Sequence, residues 1–474
     1  MRENVGKVKR KRVEKTQMNK KRSAFSGKIG YVLSAAGASV GLGNIWRFPY
    51  LAAKYGGGIF LLVYIILALT FGYTMIVAES ALGRMTRKSP VGAFRSFAKG
   101  KKVGWLSFGG WINAIIPVLI VPYYSVIGGW VVKYLFEYIR GNGSKLAEDG
   151  YFSGFISNGG ATEICFVIFC MFTLVIIYAG VQNGIERVSK IMMPILIVLS
   201  VIIAIYSVTR PGAIEGVKYF LVPNVKNFSW MTVVAAMGQM FYSLSIAMGI
   251  LVTFGSYMRK DTSIEDSTRN VEIFDTAIAM MAGLMIIPAV FAFSGGDPDT
   301  LQAGPSLMFI TIPKVLANMG FGTAVGILFF VLVLFAAVTS SIALTESAVS
   351  TFEDELGWGR KKATVLTGVI MIALGTLSCL GYGPLDFVKI IGMQFLDFFD
   401  FLTNSVMMPI AALMTSLLVS RVIGVDKIEE EIRHGESAFR RKKIFVVMIK
   451  YLCPIFALII LASSVANAFG WIAM

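Results

Sequence analysis

Side chains that commonly perform enzyme chemistry are few in this chain and scattered along it. The single histidine, His434, lies in a charged stretch between apolar segments, so histidine-based metal or general-base chemistry is not expected inside those segments. The cysteines lie in apolar segments without Cys-x-x-Cys spacing, which predicts neither a disulfide framework nor a zinc site; they are Cys165, Cys170, Cys379 and Cys453. Without a nucleophile–base pair or a metal-binding pattern, the sequence does not support an enzyme.

Charged and small polar residues instead interrupt long apolar segments. Arg47 and Asp275 each lie within such a segment, where an ionised side chain costs at least about 2.5–3.5 kcal/mol and is functional by default. Residues 37–44 and 243–249 are rich in glycine and serine. A glycine within a helix costs about 1 kcal/mol relative to alanine, and non-helical backbone is tolerated in a membrane only where it lines a cavity. These interruptions therefore need a functional or a packing reason.

The segments that hold these residues are long enough to cross a bilayer. The 474-residue chain is 56% hydrophobic, with a mean hydropathy of +0.71, against roughly 45–50% for soluble proteins. Residues 191–208 carry no charge and match the length that crosses a ~30 Å hydrocarbon layer. We predict eleven spans, at residues 29–54, 58–83, 104–138, 161–180, 187–209, 230–257, 274–293, 321–352, 362–381, 389–419 and 445–470.

The charge distribution predicts an orientation rather than nucleic-acid binding. The net charge is +16, and 11 of the 44 Lys and Arg residues precede the first span. The other basic groups fall in alternate loops, at residues 84–102, 259–269, 360–362 and 421–450, which is the positive-inside pattern. A specific role in lipid binding is the weaker alternative. We expect a multi-pass protein of the cell membrane with its N-terminus in the cytoplasm and its C-terminus outside.

The two interrupted spans occupy corresponding places in two blocks of five helices. Paired interruptions of this kind indicate an inverted-repeat secondary transporter with its site at the midplane, although glycine runs also occur at close helix crossings. We predict an all-α membrane protein with a 5+5 inverted repeat and discontinuous helices 1 and 6. The expected parts are a basic tail (1–27), helices 1–5 (28–209), an extracellular loop (210–229), helices 6–10 (230–420), a cytoplasmic loop (421–444) and helix 11 (445–474).

The motifs in and around these interruptions are similar to those of a known family. Gly41-Leu-Gly-Asn-Ile-Trp-Arg-Phe-Pro49, followed by Gly56-Gly-Gly58, resembles the signature of the neurotransmitter:sodium symporter family. The resemblance covers the chain from residue 22 onward, and the eleven-helix length is similar to that of the family's bacterial amino-acid branch. Its further motifs are Glu79, Tyr123-Tyr124, Gly238-Gln239, Ser243-Leu-Ser245, Ser256-Tyr-Met-Arg-Lys-Asp261, Thr339-Ser-Ser341 and Glu353-Asp-Glu-Leu356.

The resemblance implies a site for a zwitterionic amino acid between the broken helices. A broken helix exposes carbonyls at the end of one half and amides at the start of the next, so cation and carboxylate sites lie close together. The implied carboxylate partners are the Leu42 and Gly43 amides and the Tyr124 hydroxyl, and the implied ammonium partners are carbonyls near Ser39, Tyr242 and Ser245. The full expected set is Ser39, Leu42, Gly43, Ile120, Tyr124, Tyr242, Ser245, Met248, Ser340 and Leu344.

The resemblance also implies two sodium sites, and no organic cofactor is expected. Sodium is a hard cation, and in a low-dielectric site the protein must supply its oxygen ligands. The first implied site comprises Ser39, Asn44, Ser243 and Asp275 and is completed by the substrate carboxylate. The second comprises the carbonyls of Gly37, Val40 and Ala336 and the hydroxyls of Thr339 and Ser340. The hydroxyl of a single Ser or Thr more often donates to a carbonyl of its own helix. Only the joint pattern of these residues therefore supports a sodium site.

Three departures from the family pattern refine the expectation. Gly41 replaces the aspartate of monoamine transporters, which favours substrates that bring their own carboxylate. Asp275 stands where most members have asparagine. The residues matching the chloride site of chloride-dependent relatives are Tyr64, Gln239, Ser243 and Asp275, with Ala279 in place of the usual serine, and we predict that Asp275 replaces the anion.

Met248 stands at a pocket position held by phenylalanine in the leucine transporter. Since methionine is flexible and packs well against rings, this favours a large apolar or aromatic substrate, and Pro122 is expected to reshape the pocket wall nearby.

Gates are implied at both mouths of the pathway. The outer pair is Arg47 with Asp400, with Asp397 as the competing acid; an arginine at this depth needs a partner on physical grounds alone. The inner pair is Arg22 with Asp354, supported by Phe25 and Tyr257, and the alternative there is an ordinary loop salt bridge worth about 0–1 kcal/mol.

The expected function is sodium-coupled import of a neutral amino acid by alternating access. The expected partners are a small-molecule substrate and the lipid bilayer, without nucleic acid or an obligate protein partner. A proton-coupled transporter or exchanger of the same fold is the nearest alternative, with Asp275 as the proton carrier. A receptor or a non-transporting subunit is less favoured because the ion-site and gate residues are intact.

Overall fold

The computed structural model describes residues 23–98, 104–295 and 304–471, which are helical apart from turns, loops and two isolated β-bridges. The helices are α1 (Lys28–Ser39), α2 (Phe48–Lys54, preceded by a π-helical turn, Gly43–Arg47), α3 (Gly58–Thr86), α4 (Pro90–Ala98), α5 (Gly104–Ile139), α6 (Gly143–Leu146), α7 (Tyr151–Ser157), α8 (Gly159–Tyr178), α9 (Val181–Val208), α10 (Ala213–Leu221), α11 (Trp230–Ser243), α12 (Ile250–Tyr257), α13 (Ile264–Ser294), α14 (Leu307–Ala317), α15 (Gly322–Leu356), α16 (Arg360–Leu380), α17 (Phe395–Ile423), α18 (Val425–Arg433) and α19 (Lys442–Ala468).

Nine helices in the described part of the chain are long and apolar enough to cross a membrane. They are α3, α5, α8, α9, α13, α15, α16, α17 and α19. In the most apolar 18-residue stretch of each helix, 78% of α5 but only 33% of α19 is buried within the protein. Helix α5 is therefore central and α19 peripheral. The outer helix faces are apolar, as at Ile164, Val198 and Val365, which is the surface that lipid requires.

Two more apolar segments are interrupted, at the places predicted from the sequence. Between α1 and the π-helical turn, Val40 has an extended backbone. Between α11 and α12, the chain takes positive φ at Ser245 (53°), Ala247 (60°) and Gly249 (70°), a conformation that ends an α-helix. The eleven crossings and the inverted repeat stay predictions, while the two breaks are part of the observed fold.

Several helix boundaries differ from the predicted spans by a few residues or more, and two of the differences have identifiable reasons. Helix α13 begins ten residues before the predicted start at 274, because the Ser263 hydroxyl caps it by accepting from Asp266 N at 3.0 Å. The first turns of α13 are charged, so hydropathy alone misses them. Helix α17 begins at Phe395 rather than at 389, because residues 390 and 393 form an isolated β-bridge instead of a helical turn.

Helices α3 and α12 approach closely enough to support the second break. A Cβ added to Gly83 would lie 2.0 Å from the Val252 carbonyl oxygen, and one added to Gly255 would lie 2.5 Å from the Ser80 carbonyl oxygen. Glycine at both positions therefore permits the contact. This contact brings Glu79 of α3 against the non-helical chain before α12.

Candidate functional site

A cavity of about 340 Å³ lies between the two interrupted segments, α5 and α15. All ten residues predicted to contact substrate line it. The lining also includes four residues absent from that set: Ala38, Gly41, Asn44 and Ile250. Ile250 is the first residue of α12, and its position directly after Gly249 could have indicated that it lies at the break.

Small residues at the first break bring its backbone into contact with the cavity. A Cβ on Gly43 would lie 2.4 Å from the Tyr242 ring, and one on Gly41 would lie 2.6 Å from Ser340 Oγ. The Leu42 amide donates to the Tyr124 hydroxyl at 3.3 Å. One end of the cavity is therefore formed by a backbone amide and a phenol at the start of a half-helix, where the dipole favours a negative group.

Asp275 is fully buried beside this end of the cavity and accepts three hydrogen bonds. Asn44 Nδ2 and Ser243 Oγ each donate to its Oδ1 at 2.8 Å, and Tyr64 OH donates to its Oδ2 at 2.8 Å. Three residues predicted for the first sodium site thus form one bonded group. The Ser39 hydroxyl lies outside it and donates to Ala35 O at 3.2 Å, which leaves only the Ser39 carbonyl for the predicted role.

Gln239 takes a different place from the other residues matched to a chloride site. Its Nε2 donates to Gly43 O at 3.0 Å, while its Oε1 is buried with no partner among the described residues. Tyr64 OH also approaches Ser243 Oγ at 3.1 Å. The structure therefore joins Tyr64, Ser243 and Asp275 directly and places Gln239 on the backbone of the first break.

The five residues predicted for the second sodium site meet where α1 contacts α15. Ser340 Oγ lies 3.3 Å from Gly37 O and 3.4 Å from Val40 O. Thr339 Oγ1 lies 3.2 Å from Ala336 O on its own helix. Thr339 thus makes the ordinary intrahelical bond, while Ser340 reaches across to the broken helix. The resulting oxygen-rich, low-dielectric contact suits a hard monovalent cation.

At the mouth predicted to face outward, Arg47 lies over the Tyr242 ring, 5.5 Å from its centroid. Asp400 interacts electrostatically with Arg47, but the two form no ion pair within 4.0 Å. Asp400 Oδ1 accepts from Tyr123 OH at 3.2 Å and from Asn404 Nδ2 at 2.6 Å. The competing acid, Asp397, accepts instead from Tyr382 OH at 3.0 Å, which places Asp400 on the Arg47 side.

At the mouth predicted to face the cytoplasm, Phe25 packs among aromatic side chains. Its ring is buried and meets Phe254 and Tyr257 edge-on, and its amide donates to Tyr257 O at 3.1 Å. The predicted partner pair is Arg22 with Asp354, and Arg22 lies outside the described residues. Asp354 Oδ2 accepts from the Ser89 amide at 2.6 Å.

The sequence prediction missed a buried ion pair next to Tyr257. Tyr257 OH donates to Glu346 Oε1 at 2.7 Å, and the Arg360 guanidinium binds both oxygens of Glu346, at 3.0 and 2.5 Å. An acid at position 346, within an apolar segment, could have indicated a buried partner of opposite charge.

Together, the apolar bundle, the paired helix breaks and the oxygen-lined sites around one central cavity define a membrane transporter for a small solute and cations. The model of the sodium:neurotransmitter symporter family matches residues 22–144 and 151–470. The chain belongs to this family of sodium-dependent transporters. It is therefore a multi-pass membrane symporter, as the sequence motifs predicted.

Relatives similar to this chain are found in bacteria and in animals. A sodium-dependent transporter of Bacillus subtilis, YhdH, is 36% identical over 417 residues, covering 87% of this chain and 91% of its own. The human sodium- and chloride-dependent GABA transporter 2 is 26% identical over 468 residues, covering 87% of this chain and 75% of its own. The crystal structure of MhsT in complex with L-phenylalanine has a TM-score of 0.84 and 36% identity, covering 94% of this chain and all of that one.

Proposed function

We propose that this symporter imports a neutral, large apolar or aromatic amino acid together with two sodium ions, without a need for chloride. The observation that supports it most strongly is the cavity between the two helix breaks, which has a backbone amide at one end and apolar side chains along its wall. The cavity is lined mostly by apolar side chains with a few polar groups among them, which is typical of small-molecule sites. The similarity to MhsT, solved with L-phenylalanine, supports the amino-acid class.

The two ends of a zwitterion fit different parts of the breaks. In the proposal, the substrate carboxylate accepts from the Leu42 and Gly43 amides and the Tyr124 hydroxyl. The ammonium group then lies near the carbonyls of the first and sixth helices, where Ser245 Oγ already donates to Ala38 O at 3.0 Å. Gly41 offers no side-chain carboxylate, so the substrate supplies its own.

The wall of the cavity sets the proposed size preference. Ile120, Tyr242, Met248, Ile250 and Leu344 present apolar surface to it. Each buried methylene is worth about 0.8 kcal/mol, so a large side chain gains the most from this wall. Methionine at 248 adapts to different shapes and contacts rings favourably, which is consistent with aromatic substrates.

The proposed independence from chloride rests on Asp275. The Asp275 carboxylate accepts from Tyr64 OH and from Ser243 Oγ, two residues that match the chloride ligands of chloride-dependent relatives, and this supports the proposal that it supplies the negative charge in place of chloride. A fixed negative charge there can balance a nearby sodium ion throughout the cycle. Transport in chloride-free buffer is then expected to equal transport in chloride.

Two sodium ions can drive the proposed transport. One charge crossing 100 mV gains about 2.3 kcal/mol, and a tenfold concentration ratio adds about 1.4 kcal/mol. Two ions supply roughly 7 kcal/mol, which at tight coupling concentrates a neutral solute by about five powers of ten. Alternating closure at the Arg47–Asp400 mouth and at the Arg22–Asp354 mouth would prevent leakage of either gradient.

A binding screen with purified protein tests the proposal. Thermal unfolding is measured with each of the twenty amino acids, with sodium or with choline. Large apolar or aromatic amino acids are expected to raise the unfolding temperature only in sodium. Gly43→Ala should abolish the shift, because the added methyl meets the Tyr242 ring. Gly154→Ala serves as its matched control, since a Cβ there meets nothing within 4 Å. Sodium-independent shifts, or shifts only with charged amino acids, would refute the substrate class.

A proton-coupled cycle is the second candidate, and one observation favours it. Asp275 is a buried carboxylate whose described hydrogen-bond donors are all neutral. Such a group can balance its charge by binding a sodium ion or by taking up a proton. Replacement of sodium at fixed pH separates the two possibilities.

A further inference from the structure

A second cavity, separate from the central one, lies at the end of α9 beside α13, α14 and α15. The space between its walls, counted together with the part open to solvent, is about 330 Å³. The lining is mostly aliphatic and includes methionine and aromatic side chains: Ile203, Tyr206, Ser207, Met285, Ile286, Ala289, Ile312, Val315, Leu316, Met319, Val325 and Phe329. None of these residues belongs to the central cavity or to the predicted ion sites. An apolar lining of this kind suits a hydrocarbon group.

One polar atom in the wall of this cavity is unsatisfied. Ser207 is 1% exposed, and its hydroxyl has no hydrogen-bond partner within the part of the chain that the structure describes. A buried hydroxyl without a partner is destabilising unless a ligand or water bonds to it. The cavity therefore offers an apolar body with one hydrogen-bonding point.

A cation lies beside the same wall. The Arg210 guanidinium sits over the Tyr206 ring, 4.4 Å from its centroid, and Arg210 Nε donates to Tyr206 O at 3.2 Å. Arg210 has no acidic partner within 4.0 Å among the described residues. The nearest acid in sequence, Glu215, pairs instead with Lys218 at 2.9 Å. Arg210 can therefore accept an anionic group at the cavity's edge.

The cavity lies near the end of a helix whose outer face is apolar and exposed. Ser207 is next to the last residue of α9, and Ile202 and Ile205 of the same helix are 46% and 57% exposed on its outer face. The end of a membrane-spanning helix is where the polar head of an amphiphile resides while its chain remains among apolar groups. The cavity and Arg210 thus match the two parts of one such molecule.

We propose that this cavity binds a single-chain carboxylate, the anion of a medium-chain fatty acid, with the chain between α9, α13 and α14 and the carboxylate on Arg210. Helix α14 also contacts the core on its other side, where Phe309 packs against Trp130 and Tyr134 OH donates to Phe309 O at 2.8 Å. A bound fatty acid is therefore expected to affect how α14 packs against α5.

The test measures binding of radiolabelled octanoate to the full chain in phosphatidylcholine nanodiscs, after subtraction of binding to empty nanodiscs. Unlabelled carboxylates from butanoate to octanoate compete with it. Saturable binding of one octanoate per chain is expected, and competition should improve about fourfold per methylene. Octanol and methyl octanoate should compete at least tenfold less well. Binding no greater than in empty nanodiscs would overturn the proposal.

Variants assign the two parts of the site. Arg210→Gln should remove the preference for octanoate over octanol, and Arg210→Lys should retain it. Ala289→Leu fills the cavity and should weaken octanoate binding at least tenfold. Ala277→Leu, at an exposed position of the same helix, should leave it unchanged. Thermal unfolding checks that each variant folds; if Ala289→Leu does not fold, the Arg210 pair still decides. An equal affinity for octanoate and octanol in the unaltered chain, or unchanged selectivity in Arg210→Gln, would contradict the proposal.

Discussion

Asp275 differs in its partners from two other buried acids of the bundle, Glu346 and Glu431. Glu346 pairs with Arg360 and Glu431 pairs with Arg84, whereas the described donors to Asp275 are an amide, a hydroxyl and a phenol. A carboxylate in this position has its hydrogen bonds satisfied but its charge unbalanced. Because this buried charge is unbalanced, a cation beside Asp275 is favoured, as the proposed first sodium site requires.

Asp275→Asn tests this role. The amide removes the negative charge while keeping nearly the same shape, so sodium affinity should fall at least about tenfold, equivalent to about 1.4 kcal/mol. Sodium titration of the thermal shift with a saturating amino acid measures it. In the unaltered chain, the initial uptake rate should be the same in chloride and in gluconate.

The matched control for this change is Glu272→Gln on the same helix, because Glu272 is also buried but contacts Arg441 outside the central cavity. Its sodium affinity should be unaltered. Uptake that stops without chloride in the unaltered chain would contradict the assigned role of Asp275.

Met248→Phe tests the assigned size preference. The less adaptable ring would reduce the space next to Ile120 and Leu344, so affinity for tryptophan or phenylalanine should fall about tenfold while affinity for a smaller apolar amino acid is kept. Met240→Phe changes a buried methionine outside the cavity lining and serves as the control. Competition against a labelled substrate measures both variants, and an equal loss for small and large substrates would contradict the assignment.

Residue types identified much of this site before its geometry was known. Asp275 and the glycines of the first break stand out because charge and glycine are unfavourable in a bilayer. The direction of individual hydrogen bonds could not be predicted. Gln239 bonds to Gly43 O rather than to the Asp275 group, and that choice depends on how α11 packs against the first break.

At the scale of elements, the breaks are stabilised by contacts from neighbouring helices. Glu79 of α3 accepts from the Ala247 amide at 2.8 Å, inside the stretch where Ser245 and Ala247 take positive φ. Non-glycine residues rarely adopt this conformation without support. Gly249 allowed the break to be predicted from the sequence. The strained backbone at Ser245 and Ala247, and the hydrogen bond from Ala247 to Glu79 that supports it, depend on tertiary packing and could not be predicted.

Glu79→Ala should therefore destabilise the break itself. The Ala247 amide would lose its acceptor in a buried site, at a cost of about 1–3 kcal/mol, so the unfolding temperature and the substrate-induced shift should both fall. Glu79→Gln keeps a carbonyl acceptor and should recover most of the loss. If the two variants behaved alike, the hydrogen bond to Ala247 would not be what stabilises the break.

At the scale of the whole molecule, hydropathy predicted the membrane class and most span positions, since lipid requires long apolar helices. It did not locate the charged start of α13 or the short helix α18 in the 421–444 loop, which polar contacts stabilise. Glu431 of α18, for example, binds the buried Arg84 of α3 at 2.6 Å. The inverted repeat and the orientation are proposals that rest on the pairing of the breaks and on charge.

Cysteine labelling tests the proposed orientation. Ser144 and Ser437 are both exposed and are assigned to opposite sides of the membrane. The native cysteines are buried or half-buried, so their background should be low. In intact cells an impermeant maleimide should label Ser144→Cys and should label Ser437→Cys only after lysis. The reverse pattern would invert the proposed topology.

Uptake into proteoliposomes tests whether this protein couples amino-acid import to sodium. Purified protein is given an inward sodium gradient at fixed pH, and accumulation of a labelled amino acid found in the binding screen is followed, with choline replacing sodium in parallel. We expect concentrative uptake in sodium, abolished in choline and undiminished when gluconate replaces chloride. Equal accumulation in choline, driven by a pH gradient, would contradict sodium coupling and favour the proton-coupled alternative.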